Sequence, residues 1–345
     1  RLIATTYPLT DESGERSITA KAYDCLGNVT EEIDGRGYKT TKTYNSRGQV
    51  LEILHPDGQK EKFEYALDGT LVKKHASNGT ITHYVHDCFG RQLSEKAYAQ
   101  DTLLYETHNT YDSLHHLTST DASGVTTSFA YDAAGRLIKT SVLDHSEEYE
   151  YDFLGRIVKK LETFEKGKKV TCFAYDFLDQ VIEERIENEN TDVLKTVSYK
   201  YDLLGNRTHV IEQTYQGSSQ HITEYNQDKK PLKIVDPAGN ETHITYDYFH
   251  WNALNQYVLQ TTTTDPLGRQ TVITHDALER PVSIQKKDPF GVLLAHQDLA
   301  YDLNGNLIRV VDHVIVDGKE LKCIETEMTY QESGQIASLI LAKGL

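Results

Sequence analysis

From Lys42 to Ala97, apolar and polar positions alternate in short runs such as Val50 to His55 and Lys60 to Tyr65, so every second residue shares a face. Two kinds of turn separate the runs, Asn45-Ser46-Arg47-Gly48 and Pro56-Asp57-Gly58-Gln59. The pattern predicts β-strands joined as hairpins. It also recurs along most of the chain, with one phrase marking each return: an aromatic residue, then Asp or Asn, two variable residues, usually Gly, a polar residue and an apolar pair.

Fourteen anchors carry that phrase: Tyr23, Tyr44, Tyr65, His86, Tyr111, Tyr131, Tyr151, Tyr175, Tyr201, Tyr225, Trp251, His275, Tyr301 and Tyr330. Their spacings run from 20 to 29 residues, a period that predicts a repeat array. Twelve anchors are followed by Asp or Asn, with Ala66 and Gln331 the exceptions. The residue two before the anchor is often apolar or aromatic, as in Phe63, Tyr84, Phe129, Tyr149, Phe173 and Tyr199, which places a second ring on the same side of the strand. Around residue 250 the register is ambiguous, because Tyr246-Asp247 resembles an anchor too. Trp251 gives the more even spacing and keeps Phe249 two residues ahead of it.

Turn chemistry explains the rest of the phrase. Asp and Asn bond the backbone two residues on, and Gly at the fourth position supplies the positive φ that closes a tight reversal. Nine repeats keep that glycine: Gly27, Gly48, Gly69, Gly90, Gly135, Gly155, Gly205, Gly305 and Gly334. His115, Asp179, Lys229, Asn255 and Glu279 stand in the other five. Lys and Glu disfavour a left-handed backbone, so the turns at Lys229 and Glu279 are expected to be rearranged. The alternate turns have their own signature, Asp236-Pro237-Ala238-Gly239 and Asp265-Pro266-Leu267-Gly268 among them.

Fourteen two-strand repeats predict about 28 strands, which at ~4.8 Å each would extend about 130 Å. Open twisted sheets rarely exceed roughly ten strands without curling, so curling is expected. The fold class is therefore all-β. Residues 1–22 read as an irregular start or a degenerate strand pair, and 23–345 as one repeat array, an excerpt of a longer protein.

Tyr131-Asp132-Ala133-Ala134-Gly135-Arg136-Leu137, Tyr151-Asp152-Phe153-Leu154-Gly155-Arg156-Ile157 and Tyr301-Asp302-Leu303-Asn304-Gly305-Asn306-Leu307 resemble the YD repeats of RHS-repeat proteins. Those include bacterial Rhs polymorphic toxins, wall-associated toxins, the C component of insecticidal Tc toxins, and teneurins. The resemblance implies a long antiparallel sheet of YD-repeat hairpins curling into a partial spiral shell. It also implies a structural role, a shell segment that encapsulates or carries a toxin or effector domain of the same polypeptide, in a secreted or cell-surface protein. The implied partners are flanking repeats and that enclosed domain. A surface adhesin binding glycan or protein is the alternative.

Composition fits a sheet with little core. Hydrophobic residues make up 38% of the chain, and 22 Tyr stand against one Met and one Trp, which suits faces where rings pack while hydroxyls reach water. A net charge of −16 argues against nucleic-acid partners, since phosphate contacts need clustered Lys and Arg. The basic stretch Lys166 to Lys169 reads as a solvated turn. No apolar run approaches a membrane span, that at Leu339 to Ala342 included.

Candidate chemistry is sparse. Cys25, Cys88, Cys172 and Cys323 are widely separated and read as free thiols. His83 and His86 are three apart, which puts them on opposite strand faces, as does the adjacency of His115 and His116. No metal site is expected from these spacings. Gly35-Arg36-Gly37 lacks the third glycine of a dinucleotide fingerprint, and G-x-S-x-G, H-E-x-x-H and phosphate-loop motifs do not occur. The sequence thus predicts no catalytic or cofactor-binding residue and no enzyme.

Overall fold

Each repeat's Asp or Asn organises its own chain reversal. In Asp132-Ala133-Ala134-Gly135-Arg136 the Asp132 N–H donates to the Arg136 carbonyl at 2.9 Å, and the Gly135 N–H donates to the Asp132 carbonyl at 3.0 Å. Asp132 Oδ1 accepts the N–H groups of Ala134 and Arg136 at 2.9 and 3.0 Å. Asn45 does the same with its amide oxygen, taking the N–H groups of Arg47 and Gln49 at 2.9 and 3.0 Å. The turn therefore satisfies its own backbone, and the strands on either side are free to pair.

This computed structural model describes residues 3–10, 14–165, 167–316 and 318–340. They form 29 strands, numbered β1 (Ala4–Thr6) to β29 (Ile336–Ile340), in one long open antiparallel sheet, with no helix among them. Two compact units divide the chain. The first comprises Arg1–Glu61, Pro231–Ile234 and Gly239–Leu345; the second comprises Lys62–Lys230 and Val235–Ala238.

In the first unit β1 pairs with β2 (Ile18–Tyr23), Ala4 opposite Ala20. The pairing then passes to β3 (Val29–Ile33), β4 (Lys39–Tyr44) and β5 (Val50–Leu54). The same neighbour-to-neighbour order runs from β22 (Glu241–Trp251) to β29. In the second unit it runs from β7 (Leu71–His75) to β20 (Gly217–Tyr225). All fourteen anchors are the last residue of an even-numbered strand. At most of them the register slips by one, as where Ala130 faces Lys139 but Tyr131 faces Leu137. Such bulges bend a strand and sharpen its twist at a fixed place in each repeat.

Little is buried. Among the described residues only Ala97, Val197 and Val258 are buried apolar side chains, and no large side chain is fully enclosed. The tips of the anchor turns hold their apolar residues in solvent: Leu67, Phe153, Phe177 and Leu203 are all more than nine-tenths exposed. Within the first unit, residues far apart in sequence nonetheless meet. Arg36 N–H donates to Asn304 Oδ1 at 3.1 Å, Asn304 Nδ2 donates to Asp34 Oδ2 at 2.6 Å, and Arg36 Nη2 reaches the Gln331 carbonyl at 3.1 Å. Gly35 lies so close to the Leu303 carbonyl and the Ser17 hydroxyl that a Cβ there would collide with both.

Two expectations are corrected. Lys229 and Glu279 do not rearrange their turns: they adopt φ of 61° and 60°, and each donates its N–H to the carbonyl three residues back, like the glycines they replace. The Asn226 and Asp276 side-chain bonds hold the reversal, so the backbone strain is borne by the residue. The basic stretch is not all turn either. Lys168 and Lys169 lie on β16 (Gly167–Tyr175), where Lys169 pairs with Glu162 at 3.2 Å; Lys166 lies outside the described residues.

Relief of that strain is measurable. Lys229→Gly and Glu279→Gly should each stabilise the fold by about 0.5–1 kcal/mol, the left-handed penalty less the entropy of glycine. Gly205→Val should cost about 2 kcal/mol, because Gly205 sits at φ 81° with Gln180 Nε2 only 3.0 Å from where its Cβ would be. Denaturant melts of the three variants check both signs.

The turn carboxylates make stability depend on acid. The Arg136 N–H leads in holding Asp132 below the usual carboxylate range; the side-chain amides of Asn28 and Asn206 lead for Asp24 and Asp202. A carboxylate depressed in the folded state stabilises above its unfolded pKa of about 4, and that stability is lost as pH falls through the folded value. Thermal melts should therefore fall steeply below about pH 4, and Asp132→Asn should flatten that dependence while leaving the turn closed.

Candidate functional site

Within each unit the repeated side chains meet at the anchor turns, which make up one edge, or rim, of the strands they join. Arg136 Nε donates to Asp132 Oδ2 at 2.7 Å, fastening its own turn. Its Nη1 then reaches forward to the Asp152 carbonyl of the next repeat at 3.2 Å, and its guanidinium lies 4.8 Å from the centre of the Tyr151 ring. Arg91 repeats the arrangement with Asp112 and Tyr111, and Arg156 with Asp176 and Tyr175. Arg280 lies 4.6 Å from the Tyr301 ring. Guanidinium over phenol combines cation–π attraction with a charge-assisted bond to the turn.

Tyrosine closes the link in the other direction. Tyr131, Tyr151, Tyr175 and Tyr201 donate their hydroxyls to the carbonyls of Leu117, Leu137, Ile157 and Val181, each six residues past the previous anchor, at 2.6–3.0 Å. Tyr44, Tyr111, Tyr301 and Tyr330 do likewise to Val29, Gln92, Pro281 and Leu307. Burial pushes the phenols of Tyr65, Tyr175 and Tyr301 above their ordinary pKa. His275 substitutes a ring nitrogen, 3.0 Å from the Leu259 carbonyl, whereas His86 Nδ1 is buried with no partner.

Near residue 250 the two anchor roles separate. Tyr246 makes the tyrosine bond, to the Pro231 carbonyl at 2.9 Å, while Trp251 ends the strand and precedes the turn, its indole bonded locally to Asn255. A bulge between Asp247 and His250 absorbs the extra residues.

The turn glycines fit the same rim. At Gly135 a Cβ would stand 2.9 Å from His116 Nε2 of the preceding repeat, so the position needs glycine for closeness as well as for φ. The polar residue four after the Asp belongs to the sequence phrase, but the phrase alone gave it no role. Its signal was present, since Asn28, Arg91, His116, Arg136, Arg156, Asn206, Arg280 and Asn306 all stand four after an Asp and all bond its carboxylate.

The first unit also holds a cavity of about 590 Å³, lined by His250, Trp251, Leu254, Asp276, Arg280 and Tyr301 among others. Its buried carboxylate is already engaged, because Asp276 Oδ2 accepts Arg280 Nε at 2.7 Å and Oδ1 accepts two turn N–H groups. The lining suits binding of a flat or ring-shaped group better than proton transfer.

A second cluster in that unit gathers ionisable groups. His296, His313 and Cys323 lie directly opposite one another on β26 (Leu293–Tyr301), β27 (Leu307–Val316) and β28 (Lys319–Tyr330). Cys25 and Cys88 are exposed thiols at turn tips, and Cys172 is a half-buried one. In sequence the three residues are separated by 17 and 10 positions, which conceals them; only the hairpin register brings them together. Asp298 and Glu320 complete the group.

A family model described as RHS Repeat matches residues 23–60 and 111–147. Double-stranded DNA deaminase toxin A of Burkholderia cenocepacia (strain H111) is 27% identical over 84 residues, which is 24% of this chain and 6% of that protein. A mutant Tc holotoxin pore from Photorhabdus luminescens is 12% identical and is aligned over 98% of this chain and 19% of its own, with a TM-score of 0.39. A TcdB2-TccC3-TEV crystal structure is 13% identical over 97% of this chain and 25% of its own, with a TM-score of 0.36. The chain thus spans well under a third of these relatives. Two stretches match the RHS Repeat model, and the same phrase continues between and beyond them, so the chain carries repeats of the RHS/YD type.

Proposed function

We propose that this chain is a section of shell wall that encloses or carries an effector domain of the same, longer, exported polypeptide. The observation that carries this reading is how little the sheet buries: three apolar side chains among the described residues, with cohesion supplied by rim contacts that pass from repeat to repeat. A layer built that way can extend and separate two aqueous spaces without needing a core of its own. The rim groups are committed to one another, so the segment itself is expected to be catalytically silent. Flanking repeats and the enclosed domain are its partners in this reading.

Proteolysis of the longer polypeptide tests it. A domain attached to the wall should resist protease that digests the same domain made alone, and Arg156→Ala, which removes bonds to Asp152 and Asp176, should shorten that protection. Equal digestion with and without the wall would sink the proposal.

The cavity at Trp251 and Tyr301 supports a second reading, an adhesive surface that takes a sugar ring against aromatic side chains. A glycan array should then show binding that Trp251→Ala abolishes; silence across the array removes this reading.

A further inference from the structure

The cross-strand cluster at His313 has the composition and geometry of a metal centre. Its three closest donors are His313 Nδ1, Glu320 Oε1 and Cys323 Sγ. Nδ1 lies 3.0 Å from Oε1 and 3.5 Å from Sγ, and Sγ lies 2.9 Å from Oε1. Zinc bonds of about 2.0–2.3 Å meeting at a tetrahedral angle require donor separations of roughly 3.4–3.6 Å. The nitrogen–sulfur edge already has that length. Glu320, nearly half exposed, needs only to draw back by about half an ångström, a small torsional change for a carboxylate at the surface.

Two features favour a built site over an accidental surface cluster. The first is a bulge between Val314 and Ile315, where Val314 faces Lys322 but Ile315 faces Glu320. Without it, Glu320, three residues from Cys323, would point to the opposite face of the sheet. The second is the far side of the imidazole. His313 Nε2 lies 2.9 Å from Asp298 Oδ2, and Asp298 Oδ1 lies 3.0 Å from His296 Nε2. A carboxylate that holds the Nε2–H orients the ring so that Nδ1 faces Glu320 and Cys323, the usual support behind a metal-bound histidine. His296 stacks on His313 with ring centres 4.3 Å apart, which restrains the ring plane, and His313 is only 13% exposed.

We propose that His313 Nδ1, Glu320 and Cys323 bind one divalent transition-metal ion of the zinc class, with Asp298 and His296 as positioning residues and the fourth position open to water or an external donor. One imidazole, one thiolate and one carboxylate suit zinc better than calcium or magnesium, whose sites are built from oxygen. In the metal-free protein the Cys323 thiol donates to Glu320. On binding, the S–H bond and the Nδ1–H bond that faces Glu320 both break, the two protons leave to solvent, and the sulfur and nitrogen electron pairs form the metal bonds without any change of oxidation state. This assignment departs from the expectation of no metal site, and it is independent of the containment role.

The test uses the whole chain carrying Cys25→Ser and Cys88→Ser, which remove the two exposed thiols elsewhere, after dialysis against chelator. Zinc titrated by calorimetry should bind with one ion per chain and raise the melting temperature. Cobalt should give a thiolate-to-metal charge-transfer band together with the visible bands of tetrahedral geometry. Cys323→Ser should abolish the charge-transfer band, and His313→Gln should weaken zinc binding at least about ten-fold. Asp298→Asn should weaken it about 10–100-fold while the cobalt spectrum keeps its form, since the ligands themselves are intact. Far-UV circular dichroism confirms that each variant is folded. Absence of the charge-transfer band, its survival in Cys323→Ser, or zinc affinity unchanged in folded His313→Gln would each overturn the site.

Discussion

A sheet that buries almost no apolar side chain must find its cohesion along its length, and here the decisive interaction is the turn carboxylate with its backbone N–H groups. Asp132 and its equivalents close the reversal and hold the following Arg, Asn or His in place. That side chain then touches the next repeat, and the next tyrosine reaches back to the backbone of the one before. Strand pairing supplies the area of the sheet, while the rim supplies the order in which hairpins follow one another. Removing the carboxylate of Asp132 would leave two backbone N–H groups without it and would release the arginine at the same time.

Much of this was legible. The fourteen-fold phrase located every even strand end, and the Asp-x-x-Gly spacing named the turn, because these are local effects of side chains on their own backbone. Lys229 and Glu279 were misjudged because a propensity argument weighs one residue, whereas four hydrogen bonds within the turn outweigh its dislike of a left-handed backbone. The division of labour between Tyr246 and Trp251 was hidden because an inserted bulge lets two aromatics share one role. His296, His313 and Cys323 needed register information; once the Tyr301 turn is drawn as a hairpin with the one-residue slip between Ala300 and Tyr301, His296 falls opposite His313.

The same separation between rim and face distinguishes structure from chemistry in this chain. Rim positions are spent on holding repeats together, and their groups have few bonds left to offer. Face positions are constrained only by alternation and by their cross-strand neighbours, so clusters such as that around His313 can arise there without disturbing the turns. A site placed on the faces inherits rigidity from three paired backbones instead of from a packed core.

The links along the rim have a direction: arginine points towards the following repeat and tyrosine towards the preceding one. At Arg91, Arg136 and Arg156 the junctions are chemically alike, and each of these repeats offers the same socket on one side and the same plug on the other. Loss or duplication of one whole hairpin pair would rejoin socket to plug with no orphaned partner, whereas a break within a pair would strand both. The length of such a sheet can thus change in whole repeats without the invention of any new contact.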